Sequence, residues 1–374
     1  MERRSFLRTG LAFGAVGMSG GLSLLPEFAH ASPRASSDGT LRLNSNENPF
    51  GLAPVARSAI IDNLSEANRY PRTIRTDMVE ALATLHGVKP ENIVLGNGST
   101  EVLQMSVQAL AKPGAKLVFA DPTFEDVPRY ASPYTYDLQR VALDSNYAHD
   151  IGRMKEIVDA SSGRALVYIC NPNNPTGTLT PSADIDAWIE SGAEDVYFLV
   201  DEAYYEYCTD AGYWSCVKFI EDPNVIVSRS FSKIYGMAGM RLGYAVTHEK
   251  TADMLREYIA SSNANYLALA AGHASLKDAE LISRSRKANS EGIRILHEAL
   301  DEVGLEYLPS YTNFVMHRIN GEQDVYRERM AEAGAKVGRN FPPMLEFNRL
   351  SIGTPEEMGR FTSILRDFHK KGWV

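Results

Sequence analysis

The chain has 374 residues, 44% of them hydrophobic and 23% charged, with a formal net charge of −9. That length allows two lobes, or one large domain with a smaller one attached, and the composition is that of an ordinary globular protein. The acidic balance excludes nucleic acid and anionic membrane as main partners.

Three cysteines, Cys170, Cys208 and Cys216, are too few for a disulfide framework, and an odd count leaves at least one thiol free. Cys208 and Cys216 either pair in an oxidising compartment or both stay reduced.

The N-terminus reads as a separate object. Arg3-Arg4-Ser5-Phe6-Leu7 precedes an uncharged stretch, Thr9 to Pro26, which is diluted by five glycines, and Ala29-His30-Ala31 has the small-x-small form of a cleavage site. The stretch is too short and too glycine-rich for stable membrane insertion. The arginine pair resembles a twin-arginine export signal, with a general secretory signal as the alternative. The expectation is an export signal over 1–31, cleaved after Ala31, and a periplasmic protein.

From about residue 90, short apolar runs alternate with helical periodicity. The predicted strands are Asn92–Leu95, Lys116–Ala120, Ala165–Cys170, Val196–Val200, Val225–Ser228 and Arg241–Val246. The helix Glu101–Ala111 carries Leu103, Val107 and Leu110 on one face. Nearly all-apolar strands separated by helices indicate a mainly parallel sheet covered on both faces. Ligands in such sheets sit beyond the carboxyl ends of the strands, so polar residues there are the candidates. Further on, Leu276–Val303 reads as one long polar helix, and the last 70 residues as a smaller α+β unit.

The first strand runs into Gly96-Asn97-Gly98-Ser99-Thr100-Glu101. Two glycines admit a close ligand, and the free N–H groups of a helix start attract phosphate, although a plain capped turn has the same residues. The dinucleotide fingerprint fails, because Glu101 stands where a third glycine belongs. The third strand leads into Asn171-Pro172-Asn173-Asn174-Pro175-Thr176-Gly177, a rigid loop able to present an amide. The fourth ends in Asp201-Glu202-Ala203-Tyr204-Tyr205. A carboxylate at the mouth of a sheet needs a cation, either a nearby arginine or the pyridinium of pyridoxal 5'-phosphate (PLP).

The fifth strand runs into Ser228-Arg229-Ser230-Phe231-Ser232-Lys233. A free lysine titrates at about 10.4, so holding it neutral at pH 7 costs about 4.6 kcal/mol. A Schiff base with a cofactor aldehyde removes that requirement, and the freed amine then shuttles a proton. Taken alone, Lys233 reads as a surface lysine; the phosphate-friendly Ser/Arg segment raises it.

In this order GNGST, NPNNPTG, DEAYYEY and SFSKIYGMAGMRLGY resemble the class I/II aminotransferases of PLP fold type I. Asn44-Ser45-Asn46-Glu47-Asn48-Pro49-Phe50-Gly51, Arg69-Tyr70-Pro71 and Asn348-Arg349-Leu350-Ser351-Ile352-Gly353-Thr354 resemble the histidinol-phosphate aminotransferase branch. The similarity covers about residues 40–370. It implies an α/β fold with a mainly parallel central sheet, helices on both faces and a smaller α+β domain. The expected division is an arm with part of the small domain over 32–70, a large PLP-binding domain over 71–275 and a small C-terminal domain over 276–374.

The resemblance also implies roles. Lys233 would form the internal aldimine, with Asp201 on the pyridine nitrogen. Tyr204 and Asn174 would contact the phenolic oxygen, and Phe124 would stack on the ring. Gly98, Ser99, Thr100, Ser230 and Arg241 would surround the phosphate, and Tyr70 would reach the phosphate of the neighbouring subunit in a homodimer with shared active sites. Arg349 would clamp the substrate carboxylate, with Asn46 and Asn174 also binding substrate. Left to themselves, Arg349 reads as a strand-edge ion pair and Tyr70 as a core aromatic.

Phe50 stands where many branch members carry Tyr, and Arg72 where they carry an acid. The missing hydroxyl removes a donor to a substrate phosphate, so both histidinol phosphate and a different amino acid stay open as amino donors, with a 2-oxo acid as acceptor. The alternatives are a PLP-dependent decarboxylase or lyase of the same fold, a cofactor-free binding protein on this fold and, remotely, a serine acyl-enzyme using the S-x-x-K of Ser230 and Lys233. The last lacks S-D-N and K-T-G. No HExxH or close histidine pair suggests a metal.

Overall fold

The computed structural model describes residues 39–161, 163–192 and 194–374. The expected export signal over 1–31 lies outside the described residues. In chain order the elements are β1 (Leu41–Arg42), α1 (Pro54–Asp62), α2 (Arg72–His86), β2 (Ile93–Gly96), α3 (Ser99–Leu110), β3 (Lys116–Asp121), α4 (Asp126–Ala131), β4 (Asp137–Ala142), α5 (Ile151–Asp159), β5 (Ala165–Cys170) and α6 (Ser182–Glu190). They continue as β6 (Val196–Asp201), β7 (Val225–Ser230), β8 (Gly243–Thr247), α7 (Glu249–Arg256), α8 (Tyr266–Leu276), α9 (Leu281–Val303), β9 (Phe314–Arg318), α10 (Gln323–Glu332), β10 (Ala335–Lys336), β11 (Phe347–Ser351) and α11 (Pro355–Lys370).

Seven strands form the central sheet in the order β2-β8-β7-β6-β5-β3-β4, parallel except for β8, which runs against both neighbours. Alternation along each strand decides what covers it. Leu117, Phe119, Leu166, Tyr168, Leu199 and Ile226 pack with α3 and α7 on one face, while Val118, Val167, Ile169, Phe198 and Val227 pack with α5 and α6 on the other. Both faces are therefore dry, which is why these strands read as unbroken apolar runs. A separate core gathers Leu41 and Leu43 from the N-terminal arm with Leu296, Val315, Leu350, Phe361 and Leu365. There β9 and β11 pair antiparallel, and β1 pairs with β10, tying the start of the described chain to its C-terminal part.

Several sequence boundaries shift for identifiable reasons. The 276–303 helix is two: α8 stops at Leu276, and α9 starts at Leu281. Between them the Asp278 carboxylate accepts the Glu280 N–H at 3.1 Å and the Arg284 guanidinium at 2.5 Å, a turn that competes with helix. Strand β4 escapes the apolar-run criterion because it is an edge strand with only Val141 buried. Arg241 is not in a strand. It takes a left-handed conformation, φ 59°, and β8 begins at Gly243. Helix α3 begins earlier than expected, at Ser99, and the ladder extends to Asp121, Asp201 and Ser230, so polar residues close three strands from within. Cys170, Cys208 and Cys216 are all buried free thiols. Among the described residues no helix is long and apolar enough to cross a membrane.

Candidate active site

The register places the polar strand ends along one edge of the sheet. Cys170 pairs with Asp201, Asp201 with Ser228, Ser230 with Gly243 and Gly243 with Gly96. Everything that follows these positions converges there.

At the β2–α3 junction Gly98 has φ +80°, and no side chain caps the twelve-residue helix behind it. The first N–H groups of α3 therefore lack intrahelical partners. Arg241 fills in the charge: its Nη2 donates to Thr100 Oγ1 at 2.9 Å and to the Asn97 carbonyl at 3.3 Å, and its Nη1 lies 3.5 Å from Ser232 Oγ. Ser230 Oγ accepts the Ser232 N–H at 3.0 Å. A Cβ on Gly98 would stand 2.3 Å from the Arg241 guanidinium, and one on Gly243 would stand 2.2 Å from the Ser99 nitrogen. Two glycines thus keep a cation, a helix start and several hydroxyls close together, a donor set that fits a phosphate monoester.

Deeper in, Asp201 is 3% exposed. Its Oδ2 accepts the Tyr168 hydroxyl at 3.1 Å and its Oδ1 the Ala203 N–H at 3.2 Å, with no basic side chain within ion-pair distance among the described residues. Burial pushes the carboxyl up to about 6 against these donors and Lys233. Part-buried Lys233 sits with Nζ 5.5 Å above the Tyr204 ring and 3.5 Å from the Asn46 carbonyl. Burial, then Arg349, lowers its amine to about 8. Tyr204 accepts the Asn46 amide at 3.0 Å. Asn46 itself, at φ 51°, is held by Ser351, whose Oγ accepts its N–H at 2.7 Å.

Arg349, 8% exposed in β11, closes the group. Nη1 donates to Asn174 Oδ1 at 2.7 Å and Nη2 to the Asn44 carbonyl at 3.2 Å; Nε has no partner. Its guanidinium lies over Phe341 and Phe314, and burial lowers its pKa to about 10. No carboxylate pairs with it among the described residues. Among the described residues, Lys233, Asp201 and Arg349 are thus three buried or part-buried charged groups without an ion-pair partner, which is costly unless ligands supply the counter-charges.

The family model for aminotransferase class I and II matches residues 38–365. The chain belongs to this family. Similar to this aminotransferase are the histidinol-phosphate aminotransferase of Brevibacillus brevis, 35% identical over 87% of this chain and 90% of that one, and histidinol-phosphate aminotransferase 1 of Nitrosococcus oceani, 36% identical over 87% and 88%. A crystal structure from Erwinia carotovora atroseptica, assigned as a histidinol-phosphate aminotransferase, superposes with TM-score 0.89 at 39% identity, covering 91% of this chain and 99% of that one. A histidinol-phosphate aminotransferase from Sinorhizobium meliloti in complex with pyridoxal-5'-phosphate shares the fold at 24% identity and TM-score 0.82, over 94% and 99%. The aminotransferase uses PLP, in line with its family.

The structure brings Asn46, Asn174, Asp201, Tyr204, Lys233 and Arg349 together around the unpaired charges, with Gly98, Thr100, Ser230 and Arg241 at the phosphate-like end beside Ser99. Phe124 is part-buried against the core beside α3. Tyr70 is 77% exposed, so it is neither a core aromatic nor part of its own chain's cluster. Arg349 makes no ion pair, contrary to its plain sequence reading. Ser230 and Lys233 share no hydrogen bond, and the segment after Ser230 is a turn, not a helix, which removes the acyl-enzyme geometry. Sequence reasoning missed Tyr168, Ser232 and Ser351. Tyr168 left a signal, a polar handle inside a buried run.

Proposed function

We propose that this aminotransferase binds PLP between Lys233 and Asp201, with its phosphate at Arg241 and the start of α3, and takes α-amino acids by the carboxylate at Arg349. The observation that carries this reading is the trio of enclosed, unpaired charges, one of each sign for the cofactor and a guanidinium for the substrate. Bound PLP supplies an aldehyde and an electron-withdrawing ring that stabilises negative charge at the substrate α-carbon. The chain does the rest. Lys233 offers an amine near neutrality, suited to hold the aldehyde carbon and to move the α-proton. Asp201 holds the ring nitrogen's proton, Tyr204 and Asn174 orient the phenolic oxygen, Phe124 covers the ring, and Arg349 fixes the carboxylate in a bidentate grip. Asn46 locks Tyr204 from the N-terminal arm.

The test is a donor–acceptor screen of the purified mature protein with added PLP. Aromatic, acidic and basic amino acids and histidinol phosphate serve as donors, and 2-oxo acids as acceptors. Amino transfer with a visible chromophore, and a borohydride adduct on the Lys233 peptide, is expected; colourless protein with no adduct overturns the reading.

Two further readings complete the proposal. The protein is exported by the twin-arginine route and cleaved after Ala31, supported by Arg3-Arg4 and the Ala29-His30-Ala31 pattern; N-terminal sequencing of the secreted form checks it. It works as a homodimer in which Tyr70 completes the neighbour's phosphate site. The exposed Tyr70, with Ile61 and Leu64 nearby in sequence, supports this reading. Sedimentation gives the mass, and Tyr70→Phe is expected to weaken PLP binding about tenfold, as for a lost bond to a charged group.

A further inference from the structure

The substrate mouth holds a second guanidinium. Arg339 stands in the loop ahead of β11, and that loop is locked onto the strand: the Gly338 N–H donates to the Arg349 carbonyl at 3.0 Å, and a Cβ on Gly338 would stand 2.2 Å from the same oxygen. Both guanidiniums lie over the Phe341 ring, Arg339 at 4.2 Å and Arg349 at 4.6 Å from its centroid. They are therefore no farther apart than those two distances added, close enough for the two like charges to repel.

The two cations are answered differently. Arg349 is buried and has no carboxylate among the described residues. Arg339, half-exposed, donates from Nη2 to Glu125 Oε2 at 2.5 Å. Glu125 comes from a distant stretch of the chain: it follows Phe124 and precedes α4, 214 residues away in sequence. Both charges are felt at the substrate clamp, for Arg339 lowers the pKa of Arg349 and Glu125 raises it. One cation of the mouth is thus already neutralised by the protein, and one is left for a ligand.

We propose that Glu125 sets the substrate class of this enzyme. Its carboxylate occupies Arg339, so the site takes amino acids and 2-oxo acids that carry one negative charge and an uncharged side chain. It discriminates against ligands with a second negative charge, whether a distal carboxylate or the double charge of a phosphate monoester. Such a ligand must break the Arg339–Glu125 contact and then sit beside the displaced carboxylate. Because that pair is solvent-exposed, the discrimination is about fivefold at most rather than absolute. Phe50, which offers no hydroxyl to a phosphate, acts in the same direction. The proposal rests on the reading of Arg349 as the carboxylate clamp.

The experiment uses PLP-loaded full-length enzyme and its Glu125→Gln, Arg339→Gln, Glu125→Gln/Arg339→Gln and Arg349→Gln variants. Affinities for two unreactive acids, 3-phenylpropionate and maleate, are measured by calorimetry, and kcat/KM for phenylalanine, glutamate and histidinol phosphate by turnover. Glu125→Gln is expected to tighten maleate and raise kcat/KM for glutamate and histidinol phosphate by about threefold to fivefold, leaving phenylpropionate and phenylalanine within twofold. The double variant loses that gain. The proposal is overturned if Glu125→Gln changes all ligands alike or none, or if the double variant keeps the gain in full. Arg349→Gln separates the two readings. If it leaves every acid's affinity unchanged, the carboxylate clamp itself is wrong. If it weakens all of them while Glu125→Gln does nothing, only the present proposal fails.

Discussion

The Tyr168 hydroxyl donates to Asp201 Oδ2 at 3.1 Å across the β5–β6 pair. The register sets Cys170 against Asp201, so Tyr168, two residues earlier, lies on the same sheet face and reaches along it. Asp201 has no ion-pair partner among the described residues, and burial has already pushed its carboxyl to about 6 against the field of Lys233. Tyr168→Phe removes one of the donors that favour the charged form, so the pKa rises further. The carboxylate is needed to hold a protonated ring nitrogen, and its charge is lost as pH falls through that pKa. PLP affinity of the apoprotein, followed by fluorescence from pH 5 to 8, should therefore weaken at higher pH in the variant than in the parent, by about tenfold at pH 6. Identical pH profiles would remove Tyr168 from any role at the site.

Lys233 and Arg349 are coupled. Burial is the larger cause of the lowered lysine pKa, and Arg349 is the next. Above about 8 the Lys233 amine is neutral and can attack an aldehyde, so the rate of PLP loading should rise with pH around that value. Arg349→Gln removes the neighbouring cation, the protonated amine becomes easier to keep, and the loading midpoint moves upward. The same variant loses the carboxylate clamp, raising KM for amino acids by roughly tenfold to a hundredfold. A raised KM with an unmoved midpoint would show that the two groups do not sense each other.

Asp201 was legible in the sequence because buried parallel strands leave short apolar blocks, and a charged residue closing such a block stands out; Lys233, three residues past the end of β7, was raised only by its Ser/Arg segment and the family resemblance. Tyr168 was not, since its partner lies on a neighbouring strand and only the register reveals the pairing. Strand β4 was hidden by its exposure, and the break before α9 by an Asp278 turn that hydrophobic periodicity does not see. Glu125 and Arg339 carry no local pattern at all. Their meeting depends on how the 337–343 loop is fixed to β11, which is a property of the assembled chain.

Gly243 tests how tightly the phosphate end is built. A Cβ there would stand 2.2 Å from the Ser99 nitrogen and 2.5 Å from the Gly98 carbonyl carbon, both backbone atoms that cannot rotate away. Gly243→Ala must push the start of α3 away from Arg241. We expect a loss of about 1–3 kcal/mol in the apoprotein by chemical denaturation, the usual cost of overpacking, together with a weaker PLP dissociation constant. A variant destabilised to that extent but with unchanged PLP affinity would mean that the helix start does not touch the cofactor.

Behind the site Arg229 joins two buried carboxylates. Its guanidinium lies 2.7 Å from Glu202 Oε2 and 3.1 Å from Glu206 Oε1, and 3.7 Å from the Tyr205 ring centroid. Glu202 follows Asp201 directly, and its Oε1 also accepts the Cys216 N–H at 2.8 Å, so the network braces the strand end that carries the cofactor's expected counter-charge. Arg229→Leu would leave two buried carboxylates facing each other without a cation, a loss of about 3–5 kcal/mol. The sign of its pH dependence is diagnostic. Burial already holds the Glu206 carboxyl above its ordinary value against the opposing Arg229; without the arginine it rises further, so the folded variant binds more protons than the unfolded chain, and its stability should recover as pH falls from 8 to 5. Urea unfolding at the two pH values measures this, and a variant no more stable at pH 5 than at pH 8 would mean that Glu202 and Glu206 find other partners once the arginine is gone.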